Sequence, residues 1–157
     1  LLHSSIISFL SAVEDAITGS SGILIQFQLY FGILALMQRG GLIELVSNWF
    51  MEVSNTTTLP LFTFFSAGLV NIFVPSGGGQ WAIQGPIILE AATKLGVPLP
   101  KMILALAYGD QLTNMLQPFW ALPLLSITGL KAKDILPYTL VLFLLGFLIF
   151  VGVLLLF

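Results

Sequence analysis

The sequence predicts an all-α integral membrane protein in which a re-entrant helical hairpin is followed by a discontinuous transmembrane helix. Three observations carry that prediction. Of 157 residues 57% are hydrophobic and 8% charged, with a mean hydropathy of +1.04, whereas an ordinary soluble domain carries about 25% charged residues. Most apolar runs are shorter than the roughly 20 residues that a bilayer-spanning helix needs. Finally, residues 71–86, NIFVPSGGGQWAIQGP, set three consecutive glycines inside one of the most apolar stretches of the chain. The five Lys and Arg are scattered and the net charge is -2, so the chain has no basic surface for nucleic acid. It contains no cysteine, which excludes disulfides and thiolate metal sites and leaves the redox compartment unmarked.

Taken in order, residues 1–54 read as scaffold and interfacial helices. The opening LLHSSIISFLSAVEDA lacks the charged n-region and cleavage site of a signal peptide, and the chain reads as starting inside a longer protein. Residues 1–17 form a Ser-rich helix closed by Glu14 and Asp15, with TGSSG at 18–22 as terminator. A second helix over 23–37 stops at QRGG. Over 42–54, Leu42, Leu45, Val46, Trp49, Phe50 and Val53 share one helical face, with Glu44, Ser47, Asn48 and Glu52 on the others. This helix lies in the membrane interface with Trp49 at headgroup level.

Residues 59–95 form the hairpin. The legs, 59–74 and 81–95, reach about 24 and 22 Å at 1.5 Å per residue, short of the about 30 Å of hydrocarbon. Both legs therefore end inside the membrane and meet at a Pro-Ser-Gly-Gly-Gly-Gln tip. Open backbone at that depth is tolerated only beside protein or a water-filled cavity. GVPLP at 96–100 turns the chain back, and residues 101–126 form the broken helix. There Asp110, Thr113, Asn114 and Gln117 fall at i, i+3, i+4 and i+7, a polar stripe on one face. Pro118 cannot donate to the Asn114 carbonyl, which leaves that oxygen free for a ligand. TGLKAKD connects to a final transmembrane helix over 134–157, capped by Asp134. With Arg39, Lys94 and Lys101 on one side and Lys131 and Lys133 on the other, the positive-inside rule does not decide orientation.

No enzyme constellation can be assembled. His3 is the single histidine, and the seven acids are scattered, so neither paired carboxylates nor a Ser/His/Asp set arises. The glycine run lacks the Lys-Ser/Thr of a phosphate loop. Asp110 is the ionisable group at the centre of an apolar stretch, where such residues face a cavity, a partner or an ion path. The structural alternative is a cap on the second half of a broken helix, and the two roles are compatible. Thr113, Asn114 and Gln117 read as ligands or as interhelical glue. Around the tip, Asn71, Ser76, Gln80 and Gln84 crowd polar side chains, and the start of the second leg points N–H groups back at it, which favours an anion. Glu90 reads as a rim residue.

FTFFSAGLVNIFVPSGGGQWAIQGP, followed some twenty residues later by AYGDQLTNMLQPFWALPLL, resembles the C-terminal half of the short-chain fatty acid transporter family, which includes acetoacetate and butyrate carriers. The likeness covers essentially the whole chain. The family belongs with the ion transporter superfamily, whose members have two inverted repeats, each with a re-entrant hairpin and a broken helix. The resemblance implies that this chain is one transporter repeat, with Ser76, Gly77, Gly78, Gly79 and Gln80 as hairpin tip and residues 109–118 as broken helix. A complete member is more than twice this length, so the first repeat is absent. Ser54-Asn55-Thr56 spells a triplet seen at the tips of dicarboxylate transporters, but it precedes the hairpin here and reads as an N-cap and turn.

The function implied is secondary transport of small monocarboxylates across a bacterial inner membrane, cation-coupled, with no cofactor beyond Na+ or H+ as coupling ion. All five cations lie near segment ends, so a substrate carboxylate would be held by Asn71, Thr113, Asn114, the tip N–H groups and helix dipoles. A cation at Asp110, Asn114 and Gln117, Na+ or H+, would remove the repulsion between Asp110 and the substrate. The site would be completed by the first repeat or by a second copy in a homodimer. Two other classes stay open: a passive pore with a glycine-carbonyl filter, and a non-transporting scaffold subunit.

Overall fold

A computed structural model describes residues 5–156, with backbone alone at Gly19, Ile23, Gln26, Phe27, Tyr30, Leu34, Gln38, Phe119 and Trp120. His3 therefore lies outside the described residues. These are helical almost throughout, with no strand among them. The elements are α1 (Ile6–Arg39), α2 (Leu42–Glu52), α3 (Leu59–Phe73), α4 (Gly77–Leu95), α5 (Leu99–Asn114), a 3-10 turn (Pro118–Ala121), α6 (Leu122–Thr128) and α7 (Ala132–Leu156). Among the described residues α7 is the one helix long and apolar enough to cross a membrane.

TGSSG does not terminate a helix, because α1 runs unbroken for 34 residues. Its hydroxyls fold back onto the helix instead of capping a new one. Thr18 Oγ1 donates to the Glu14 carbonyl at 2.9 Å and Ser21 Oγ to that of Thr18 at 3.0 Å, the local bonding open to Ser and Thr inside a helix. The real stop is Gly41, whose φ of 67° lies in the left-handed region that glycine enters without strain. Beyond α2, the Asn55 carboxamide oxygen accepts from the N–H groups of Thr57 and Thr58, both at 3.0 Å. The Ser-Asn-Thr triplet thus serves as a turn that starts α3.

At the centre, α3 and α5 run parallel and touch. Gly68 and Gly109 make the approach: a Cβ on Gly109 would run into the Phe64 carbonyl oxygen and come within 2.8 Å of Ala67 Cβ. Small residues let helix backbones meet in this way. On one flank α4 lies antiparallel, packing Ile88 and Ala92 against Leu59 and Met102, and α2 joins it through Ile43 against Val70 and Val74. On the other flank α7 runs antiparallel to α5, with Phe150 stacked on Tyr108 at 4.4 Å and Leu154 against Ala105 and Phe64.

Ser47, placed by periodicity on the polar face of α2, is completely buried. Leu45 and Trp49, on its apolar face, are exposed instead. Ser47 begins a buried polar ladder. Gln84 Nε2 donates to Ser47 Oγ at 2.7 Å and Ser66 Oγ at 3.0 Å, and Gln80 Nε2 donates to Gln84 Oε1 and the Ala67 carbonyl, both at 2.8 Å. The ladder ties α2, α3 and α4 together where apolar packing alone would set no register. Gln84→Leu strands its partners and is expected to cost about 1–3 kcal/mol, with Ser47→Ala nearer 1, since Ser66 still receives Gln84. Unfolding in detergent checks this; equal midpoints for all three proteins would refute it.

The last helix starts at Ala132, two residues before the expected boundary. Asp134 lies in its first turn, not at the N-cap, and its Oδ2 accepts from the Lys131 N–H at 2.9 Å. The carboxylate caps from inside the helix, as the third residue of a capping box does.

Candidate functional site

The glycines are not an open tip. Gly77, Gly78 and Gly79 form the first turn of α4, and the bend is confined to residues 74–76. Ser76 makes this happen. With extended backbone (φ -151°, ψ 100°), it sits at the N-cap, where its Oγ accepts from the Gly79 N–H at 3.3 Å and its carbonyl from Gln80 at 2.8 Å. A serine cap of this kind is worth about 0.5–2 kcal/mol, which offsets part of the penalty of about 1 kcal/mol per glycine in a helix. The second leg thus begins four residues earlier than the sequence suggests and is 19 residues long. The N–H groups of Gly77 and Gly78 have no partner among the described residues.

What faces this turn is Asp110. A Cβ built on Gly77 would lie 3.4 Å from Asp110 Oδ2, so the carboxylate rests against the N-terminal end of α4. There the helix dipole favours a negative group. Asp110 therefore does not cap a second half of the broken helix: α6 starts after Ala121, which gives it no side-chain cap. The helix does break, with α5 ending at Asn114 and the 3-10 turn and α6 following. The Asn114 carbonyl is not free, however. Gln117 N donates to it at 3.2 Å, and Leu116 N to Thr113 O at 3.1 Å, because the chain tightens into i+3 bonds that do not need the missing proline N–H.

Asn71 holds the cluster together. Completely buried, it sends Nδ2 to the Asp110 carbonyl at 2.9 Å, Thr113 Oγ1 at 2.9 Å and Asn114 Oδ1 at 3.0 Å, and its own carbonyl receives Gln117 Nε2 at 3.1 Å. An amide nitrogen has two hydrogens, so three acceptors compete for them. Meanwhile Asn71 Oδ1, Asp110 Oδ1 and Gln117 Oε1 are buried with no hydrogen-bond partner. Turning the Asn71 amide over would place its oxygen against the Asp110 carbonyl as well as the Thr113 hydroxyl and the Asn114 amide. With the amide placed as it is, the group is short of donors.

The structure thus brings Asn71, Asp110, Thr113, Asn114 and Gln117 into one group, with Ser76 and Gly77 beside it. Gln80 is held elsewhere, in the buried ladder, and Gly78 faces open space. Sequence reasoning missed Ser47 and Ser66 as partners of Gln84, although the four-residue spacing of Gln80 and Gln84 was a signal. It also missed the Gly68 and Gly109 contact, which the small-residue run SAG hinted at. No group of three or more His, Cys, Asp or Glu that could hold a metal occurs among the described residues. Glu90 pairs with Lys94 at 2.6 Å on the exposed surface, away from this group.

A family model described as short chain fatty acid transporter matches residues 1–157. The chain is 46% identical over 151 residues to a protein of Escherichia coli (strain K12), and 46% identical over 138 residues to one of Haemophilus influenzae (strain ATCC 51907 / DSM 11121 / KW20 / Rd). Each is named "Putative short-chain fatty acid transporter". These matches take in 96% and 88% of this chain but 34% and 31% of the relatives, so the chain spans about a third of their length. No solved structure matches significantly.

Proposed function

The chain belongs to the short chain fatty acid transporter family, and from that premise we propose that it supplies one repeat of a carrier that moves small monocarboxylates, such as acetoacetate or butyrate, together with a cation. The observation that carries this reading is the donor deficit: Asn71 Oδ1, Asp110 Oδ1 and Gln117 Oε1 are buried oxygens without a proton to receive. Buried acceptors without donors are costly, and a cation satisfies several at once. One carboxylate among neutral oxygens suits a single positive charge, which Na+ or H+ supplies.

Substrate and Asp110 compete for the same place. In the empty protein the N-terminal end of α4 faces the Asp110 carboxylate, whose charge repels a second anion. A cation at Asp110, Asn114 and Gln117 draws that charge away from the first turn of α4. The turn, with the N–H groups of Gly77 and Gly78 unbonded, then receives the substrate carboxylate. Each ligand raises the affinity for the other, and the coupling is reciprocal. The α3–α4 pair acts as the re-entrant hairpin of a carrier in a bacterial inner membrane, with the site completed by a first repeat or by a second copy of the chain. A pore filtered by glycine carbonyls fits less well, because helical Gly77, Gly78 and Gly79 turn their carbonyls into α4.

The test is uptake of labelled butyrate or acetoacetate into proteoliposomes of the full-length protein, with Na+ and pH gradients imposed separately. Saturable uptake driven by one gradient is expected; conductance without coupling would overturn the carrier reading. Gly78→Ala refines it. A Cβ there meets nothing within 4 Å, so the fold should be kept while KM for the acid rises about tenfold, the cost of some 1.4 kcal/mol at a crowded anion contact. A fully active variant would show that the first turn of α4 does not touch substrate.

A further inference from the structure

Beside the donor-poor group lies a cleft of about 330 Å³, formed where the broken helix meets the start of α7. That volume is at the small end of the ~300–1,000 Å³ range of small-molecule sites. Its lining is mixed in chemistry. Gln111, Asn114 and Gln117 contribute amides to the lining, while Met115, Ala121, Ile135 and Leu136 contribute apolar surface and Thr139 a hydroxyl. Asn114 and Gln117 also belong to the group around Asn71, so the polar lining of the cleft is continuous with that group. Leu136 is 37% exposed and lines the cleft.

A small cleft of mixed amide and aliphatic lining that adjoins the group around Asn71 suits the short acyl tail of an acid whose carboxylate is held at the first turn of α4. We propose that this cleft holds the acyl tail of the transported acid and that Ala121 and Leu136 set the chain length accepted. This rests on the transport reading above and deepens it. The second apolar hollow, lined by Phe64, Gly68 and Phe147, does not serve this purpose. It lies on the α7 flank of the α3–α5 contact, and its lining offers no amide and one polar side chain, Thr113.

Wall positions should act on the tail and not on the head. Each methylene moved from water into an aliphatic site is worth about fourfold in affinity. Ala121→Leu fills the cleft, and is expected to weaken hexanoate at least tenfold while leaving acetate within twofold. Leu136→Ala enlarges it, and should improve octanoate relative to butyrate about fourfold or more. Competition of acetate, butyrate, hexanoate and octanoate against labelled butyrate uptake by the full-length protein reads this out. Thermal shift of the purified variants with each acid gives a second reading that does not need turnover. Chain-length profiles that stay parallel to wild type in both variants would overturn the proposal, and would leave the cleft to a lipid tail. Failure of the unaltered protein to take up or be stabilised by any of the four acids would instead overturn the transport reading, and this proposal with it.

Discussion

Gly109→Ala is expected to produce the largest loss of folded protein of any single substitution among the described glycines. The added methyl would meet the Phe64 carbonyl oxygen, Ala67 Cβ at 2.8 Å and the Gly68 nitrogen at 3.0 Å. Two of these three obstacles are backbone, so no rotamer change can relieve them. Forcing a methyl into a packed interior costs about 1–3 kcal/mol, and more where the surroundings cannot yield. Relief requires α3 and α5 to move apart, which would pull Asn71 away from Asp110, Thr113 and Asn114 together. Thermal unfolding in detergent checks this against Gly78→Ala, whose Cβ enters open space. The expected order is a large drop for Gly109→Ala and none for Gly78→Ala, and equal midpoints would refute the close contact.

Asp110→Asn should leave the shape of the group nearly intact and remove its charge. Gradient-driven uptake is then expected to fall by the coupling factor, about 5–150-fold for a coupling free energy of ordinary size, while some binding of the acid survives. The N-terminal end of α4 loses its resident anion, and losing that dipole contact costs only about 0.3–1 kcal/mol, so the protein should still fold. Two readouts separate the charge from mere structure. Wild type should be stabilised by the coupling cation as a ligand stabilises its folded partner, and Asp110→Asn should not be. Uptake that responds to the gradient as strongly in the variant as in wild type would remove Asp110 from the mechanism.

The apolar composition and the breaks at QRGG and GVPLP made most helices legible, since these signals are local and strong. The polar stripe from Asp110 to Gln117 was legible because a 3.6-residue period survives up to the break. Three features were not, each for a physical reason. TGSSG looks like a terminator only while its hydroxyls are counted as caps, and they bond backwards along α1. The glycine run looks like an open bend because glycine disfavours helix, yet one serine cap and a neighbouring carboxylate suffice to wind it. Ser47 escaped because periodicity assumes that the apolar face of a helix turns inward. Where lipid is the solvent, the interior is no more apolar than the outside, and the polar residue is the one that packs.

The meeting of Gly68 and Gly109 also has a mechanical consequence. Two helices that meet at bare backbone resist sliding past one another, so α3 and α5 are expected to move together. A motion that keeps this contact intact would be absorbed where the pair ends. Residues 74–76 lie at the end of α3 and residues 115–117 at the end of α5, beside the same cluster of oxygens. The two joints and the proposed site are thus neighbours, and a ligand there would feel a turn of either joint.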